Sequence, residues 1–518
     1  SILLLVVVIL SYFIEGRNGI NYIAIGDVVM NYIQSYYYFF DTVLFLLFLG
    51  AFYGLLEHIE AYNKIKEKLV EKIGDNNKKF LFIIIGIFAL LSSLTGLNLT
   101  LLVFIPFVMS VILMLGYDKI TALLSTIGAV IVGLLGGIFV TFRDPASYSS
   151  SFTTFEKLVG LEDQYVNIFP KIVLLIVATV LLMLYVNKYI GKEGKKEIAK
   201  NEKVKEEITK EIKSEKKEEK IIEKKTATKE DKKQSNKTTT KKNNSKTTKR
   251  NTNKNPNKAA AKKDDIITIK RSQKTWPLIV FAALMLVLLI LGFMPWSTLF
   301  EITIFDDFHS WLTGLKIGEY TVFTSLISSN FTAFGAWGQL GNFMMVIIIL
   351  IIFSIIIKFV YKVKFDDMLD FYKEGMKKML PSAAVAMLAY TVLVCAYNNG
   401  FMETIITSAT DKFGDNTMIA SLISFFGSIT NVDLYYTSAG IFTPIVNALS
   451  DKANLQVIAI IFQSFYGLVQ IVGPTSLLLI IGLTYLEVPY KDWLKNIWRL
   501  VLELFIAIFI VIFIVSLL

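Results

Sequence analysis

Apolar residues in this chain gather into long uninterrupted runs instead of alternating with polar ones. The runs 80–91, 120–140, 171–189, 277–294 and 343–360 approach or reach the roughly 20 residues that a helix needs to cross about 30 Å of hydrocarbon. A helix that is apolar all round has no water-facing stripe, so it packs against protein or lipid. The run 2–14 reads as a first span, because it lacks the basic leader and small-residue cleavage site of a signal peptide. The pattern predicts an all-α polytopic membrane protein.

Composition agrees and charge refines the picture. With 54% hydrophobic and 19% charged residues and a mean hydropathy of +0.55, a soluble domain is excluded. The net charge of +10 comes from one segment: residues 191–274 hold 29 Lys/Arg against 14 Asp/Glu, while the rest of the chain holds 24 against 29. Beyond Ile222 this segment has almost no large apolar residues, too few to offset the entropy of ordering it. It reads as a disordered cytoplasmic linker attracted to anionic lipid headgroups, and no nucleic-acid partner is expected. A single cysteine, Cys395, builds no disulfide framework within one chain. His58 and His309 make no metal-ligand pattern. No cofactor is expected beyond a coupling Na⁺ or H⁺.

Loops rich in Lys and Arg stay on the cytoplasmic side, so the linker fixes one face. Segments 15–38, 141–171, 295–340, 400–416 and 450–453 then fall outside and hold seven basic residues: Arg17, Arg143, Lys157, Lys171, Lys316, Lys412 and Lys452. The inner segments hold 17, the linker set aside. The bias predicts a bacterial-type plasma membrane protein with its N-terminus in the cytoplasm and its C-terminus outside. It holds only if stretches at about 80–117 and about 415–449 each enter and leave by the same face, as re-entrant hairpins. Non-helical backbone at membrane depth needs protein or a water-filled cavity around it, so two such hairpins point to a solute site.

The hairpins share a pattern more than 300 residues apart. Ser93-Leu94-Thr95-Gly96-Leu97-Asn98-Leu99 matches Ser428-Ile429-Thr430-Asn431-Val432-Asp433-Leu434, with Pro106 and Pro444 following. Because one hairpin enters from each face, the halves read as inverted-topology repeats, 1–190 and 275–518 on either side of the linker 191–274. Hydroxyls and the free backbone groups of a helix break can replace water around a cation or a carboxylate. Asn98 and Asp433 sit at matched positions, and an ionisable residue within the membrane is by default a functional one. An apolar run interrupted by Gly133, Gly136 and Gly137 follows the first hairpin, and one interrupted by Gly473-Pro474-Thr475-Ser476 follows the second. The proline frees backbone groups that Thr475 and Ser476 can help to satisfy. The candidate substrate- and ion-binding residues are Ser93, Thr95, Asn98, Ser428, Thr430, Asn431, Asp433, Pro474, Thr475 and Ser476, with Na⁺ at the hairpin tips.

Three stretches carry a family resemblance: "FYKEGMKKMLPSAAVAMLAY" from Phe371, "LMLGYDKITALL" from Leu113, and "GPTSLLLIIGLTYLEVPYKDWLK" from Gly473. They resemble the ion transporter superfamily, most of all its YfcC-type basic amino acid antiporters, with the anaerobic four-carbon dicarboxylate carriers as close relatives. The resemblance implies a scaffold domain and a mobile transport domain, a homodimer, and hairpin tips that bind substrate and ion through Ser93, Thr95, Ser428 and Thr430. The wider superfamily often has Asn between the hairpin Ser and Thr, where this chain has Leu94 and Ile429; its Asn-Pro after the first broken helix stands here as Asp144-Pro145.

These readings converge on a secondary active transporter, a carrier or antiporter, of a small carboxylate-bearing solute. An amino acid is favoured over a dicarboxylate, because no Lys or Arg lies in either hairpin core. An ion channel is the alternative of another class. No phosphate-cradling GxxxxGK[ST] and no HExxH occurs in the sequence, so neither ATP-driven pumping nor metalloenzyme chemistry is expected of it.

Overall fold

The computed structural model describes residues 2–14, 16, 22–144, 149–191, 274–338, 343–413, 417–429, 433–449 and 455–517. The chain divides into two compact units, Ser1–Lys188 with Thr268–Leu518, and Tyr189–Ile267. Only residues 189–191 of the second are described, so the lysine-rich linker lies outside the described residues apart from its ends.

The first unit is helical. In chain order it holds α1 (Ile2–Ser11), α2 (Ile25–Glu57), α3 (Glu60–Ile73), α4 (Asn77–Thr95), α5 (Ile105–Met114), α6 (Lys119–Leu135), α7 (Phe155–Leu158) and all but the last three residues of α8 (Ile168–Gly191). There follow α9 (Trp276–Phe293), α10 (Trp296–Phe300), α11 (Ile304–Gly314), α12 (Val322–Ile327), α13 (Met344–Val360), α14 (Phe365–Asn399), α15 (Phe401–Phe413) and α16 (Thr417–Ser428). The last are α17 (434–449), α18 (Leu455–Val472), α19 (Leu477–Tyr485) and α20 (Tyr490–Leu517). Two small antiparallel hairpins complete it: β1 (Val140–Asp144) with β2 (Ser149–Thr153), and β3 (Lys316–Ile317) with β4 (Tyr320–Thr321).

Among the described residues, seven helical stretches are long and apolar enough to cross a membrane, so the chain is an all-α polytopic membrane protein. Their burial sorts them into layers. The apolar windows of α2 and α14 are each 72% buried and that of α18–α19 is 78% buried, whereas α8, α9 and α20 bury a third or less and face outward. The inner pair is held by backbone contact. A Cβ on Gly375 of α14 would lie 2.0 Å from the carbonyl oxygen of Gly50, and one on Gly54 would lie 2.3 Å from that of Phe371. The spacing Gly50-x-x-x-Gly54 gives α2 the small-residue groove into which α14 fits. Below the crossing, His58 stacks on Phe371 at 3.9 Å and meets Glu374 at 3.3 Å, while Lys378 meets Glu57 at 2.6 Å.

The two stretches read as hairpins are helix, break, helix. In the first, α4 ends at Gly96, whose φ of 62° is left-handed, a conformation that glycine adopts without strain; the chain then runs through a short 3₁₀ turn, Thr100–Val103, into α5. In the second, α16 is followed by α17, which starts on the N-cap Asp433. Each is followed by a helix that stops inside the protein: α6 at Gly136, and α18 at Gly473-Pro474-Thr475-Ser476 before α19.

Candidate functional site

A helix that ends inside a membrane protein leaves carbonyls and N–H groups without intrahelical partners, and water is not there to take them. Named side chains take these. At the end of α6, Ser93 Oγ donates to Gly136 O at 2.7 Å, and Gln463 Nε2 of α18 reaches Gly137 O at 2.7 Å and Leu135 O at 3.3 Å. The Ser93 carbonyl accepts from Ile138 N at 2.9 Å, so the end of α4 and the end of α6 are stitched together. At the end of α18, Trp493 Nε1 donates to Ile471 O at 2.9 Å and Tyr490 Oη donates to Val472 O. Thr475 Oγ1 donates to Ile429 O at 2.6 Å, joining the second break to the second hairpin. Tyr490 and Trp493, in the third of the stretches that carry the resemblance, therefore cap the helix that Pro474 interrupts.

The two breaks also meet. A Cβ on Gly467 of α18 would lie 3.0 Å from Leu135 N, and one on Gly133 of α6 would lie 2.3 Å from Ala89 O of α4. Between them lies a cavity of about 140 Å³, lined by Gly96–Thr100 of the first hairpin, Ile131 and Leu134 of α6, Asp433 and Leu434 of the second hairpin, Tyr466 and Gln470 of α18, and Leu477 and Leu478 of α19, with Tyr390 of α14. The beginnings of α17 and α19 reach it with their positive dipole ends, and the ends of α4 and α6 with their negative ones. Such a site offers N–H groups to a carboxylate and carbonyls to a cation.

Asn98 and Asp433, more than 300 residues apart in the sequence, thus face one cavity. Asp433 Oδ1 accepts from Tyr435 N at 2.9 Å as the N-cap of α17. Ser92 Oγ lies 2.7 Å from Val130 O and 2.5 Å from Asn98 Oδ1. With one proton to give, Ser92 holds both if the Asn98 amide is turned to donate, which frees the Asn98 carbonyl oxygen. Tyr390 stacks on Phe39 at 3.6 Å, and its hydroxyl lies 3.3 Å from Thr42 Oγ1.

The other expected site residues are placed differently. Ser93, Thr95, Ser428, Thr475 and Ser476 are buried but do not line this cavity. Ser93 and Thr475 lock the breaks as described, and Thr95 Oγ1 donates to Leu91 O at 2.6 Å. The Ser428 and Ser476 hydroxyls have no hydrogen-bond partner among the described residues. Pro474 lines a separate, larger cavity of about 1080 Å³ that extends past Pro381 to Lys377, Lys378 and Glu57. Thr430 and Asn431 lie outside the described residues.

Tyr390, Tyr466 and Gln470 escaped the sequence reading. The available signal was Gln463, Tyr466 and Gln470 recurring at helical spacing in an otherwise apolar span. Lys171, counted above with the loops, is inside α8 and 4% exposed, paired at 2.5 Å with the fully buried Glu156 of α7.

Two families match this chain. The family described as a citrate transporter matches residues 2–360, and the one described as a C4-dicarboxylate anaerobic carrier matches residues 232–517. No curated protein and no solved structure matches it significantly. Each family match spans more than half of the chain, and the chain belongs to the ion transporter superfamily that both represent: it is a multi-pass membrane protein and a secondary transporter of carboxylates.

Proposed function

We propose that this protein is an ion-coupled carrier or antiporter of an amino acid, bound between the two hairpin tips. The carrying observation is the charge of the cavity: Asp433 lines it, and no Lys, Arg or His is among its described lining residues. A second carboxylate on the solute would meet no side-chain cation, whereas an ammonium or guanidinium group would meet Asp433. The solute's carboxylate would take the N–H groups at the beginnings of α17 and α19. In this reading the halves 1–190 and 275–518 are inverted repeats, and the hairpins and broken helices move as one body against α2 and α14. The shared order of helix, break, helix and interrupted helix in each half supports it. The protein works as a homodimer in a bacterial-type plasma membrane.

A dicarboxylate carrier is the second reading, favoured by the match to that family over residues 232–517. Asp433 would then ligate Na⁺, and the dipole ends would hold both carboxylates. Uptake into proteoliposomes preloaded with arginine, ornithine, an acidic amino acid, succinate or buffer, with and without imposed Na⁺ and proton gradients, separates the two. Counterflow with an amino acid and none with succinate is the expected outcome. Counterflow with succinate alone moves the assignment to the second reading. Conductance without counterflow marks a channel.

A further inference from the structure

A second groove, separate from the cavity between the breaks and about 270 Å³ in volume, runs between α2, α3, α9, α13 and the arm of the first hairpin that leads into α5. Its walls are almost wholly apolar, with Phe52, Leu56, Phe104, Phe107, Ala282 and Ile357 prominent among them. α9, which forms one side, is only 33% buried over its apolar window, so the groove opens toward the bilayer. Hydrocarbon is the matching occupant of such a space.

The head of the occupant is indicated by charge. α9 starts, and α2 and α13 end, at the face of the helix bundle where α3 lies, and three lysines sit there beside groove residues. Lys66 follows Ile65 and lies 4.6 Å over the Tyr62 ring. Lys358 follows Ile357, and its Nζ lies 4.4 Å over the ring of Phe359, which is exposed on the outer side of α13. Lys274 stands one turn before Leu278 and is tied to α13 by the Tyr361 hydroxyl, which donates to its carbonyl at 2.9 Å. None of the three forms an ion pair among the described residues, while the nearby Glu57 and Glu60 are engaged by Lys378 and Lys64 at 2.6 Å each. Trp276, 60% exposed, stands at the same level, where an indole suits the membrane–water boundary.

We propose that this groove binds an anionic phospholipid, one acyl chain lying against Phe104 and Phe107 and the phosphate held by Lys66, Lys274 and Lys358. The chain would lie against the hairpin arm that Tyr53 Oη holds through Val103 O at 2.6 Å, so lipid occupancy and hairpin position are linked.

The test is native mass spectrometry of the full chain, equilibrated in bilayer discs of equal phosphatidylglycerol and phosphatidylcholine and released gently. A retained phosphatidylglycerol is expected, preferred over phosphatidylcholine by about fivefold for each lysine that faces the headgroup. The triple variant Lys66→Gln/Lys274→Gln/Lys358→Gln should still hold a lipid but lose that preference. Ala282→Trp, which fills the groove, should retain less of both lipids. Equal retention of the two headgroups by the unaltered chain overturns the proposal, as does a preference that survives the triple substitution. If Ala282→Trp fails to fold, the triple variant decides alone.

Discussion

Asp433 caps α17 and, in the proposed function, faces the solute, and one substitution tests the second role. Asn caps a helix about as well as Asp, so Asp433→Asn can keep the bond to Tyr435 N while it removes the negative charge that lines the cavity. Its melting temperature should stay near that of the unaltered chain while the half-saturating solute concentration rises about tenfold or more, since a hydrogen bond to a charged group is worth about 1.5–3 kcal/mol. Unaltered uptake would remove Asp433 from the site. The buried pair behaves in the opposite way. Glu156 and Lys171 meet at 2.5 Å with 0% and 4% exposure, and removing one partner of a buried pair leaves a bare charge at a cost of about 3–5 kcal/mol. Lys171→Met should therefore melt well below the unaltered chain, and Lys171→Met/Glu156→Gln should recover most of the loss. That Asp433 and Asn98 belong together was legible, because an acid and an amide stand at matched positions in two apolar stretches and both line one cavity. The pairing of Glu156 with Lys171 was not, because both looked like ordinary loop charges until α8 was seen to begin at Ile168.

Among elements, the crossing of α2 and α14 brings backbone against backbone at the described glycines, Gly50, Gly54 and Gly375. Gly375→Ala places a methyl 2.0 Å from Gly50 O, a backbone atom with nowhere to move, and overpacking of this kind costs about 1–3 kcal/mol or more. Gly86 of the less buried α4 is a control, where an added Cβ meets only the end of Met183 at 3.7 Å. Gly86→Ala should be neutral or stabilising by up to about 1 kcal/mol from helix propensity, and thermal unfolding of both variants checks the contrast. Spans and breaks could be read from the chain because run length, glycine and proline are local signals. What satisfies the breaks could not: Gln463 acts on α6 from the other half of the chain, and Trp493 and Tyr490 act backward on α18 from α20. The π-helical turns at Leu124–Gly128 and Ser438–Phe442 had no sequence signal either, since a π turn inserts a residue into a helix without changing its apolar character.

For the whole molecule, the number of true crossings decides which face each loop occupies. α4 has 19 residues and α5 has 10, so the stretch from Asn77 to Met114 is long enough to cross once, and length alone does not make it return. The lysine bias requires that it return, leaving Lys72 before it and Lys119 after it on one face and Tyr320 on the other. All three are exposed, and the sole cysteine, Cys395, is fully buried, so a Cys395→Ala background with single cysteines at these positions gives a clean reading. A membrane-impermeant maleimide applied to intact cells should label Tyr320→Cys and spare Lys72→Cys and Lys119→Cys, both of which should react once the membrane is opened. Labelling of Lys119→Cys but not Lys72→Cys from outside would make the stretch a full span, and every later loop would change side. The same reading orients the larger cavity. Its rim carries Lys377 and Lys378, on the lysine-rich face, so if that face is cytoplasmic the break at Pro474 is reached from the cytoplasm. Lys377→Cys should then react only in opened membranes and more slowly with transported solute present, because a solute held between the tips favours closure of the path that leads to it.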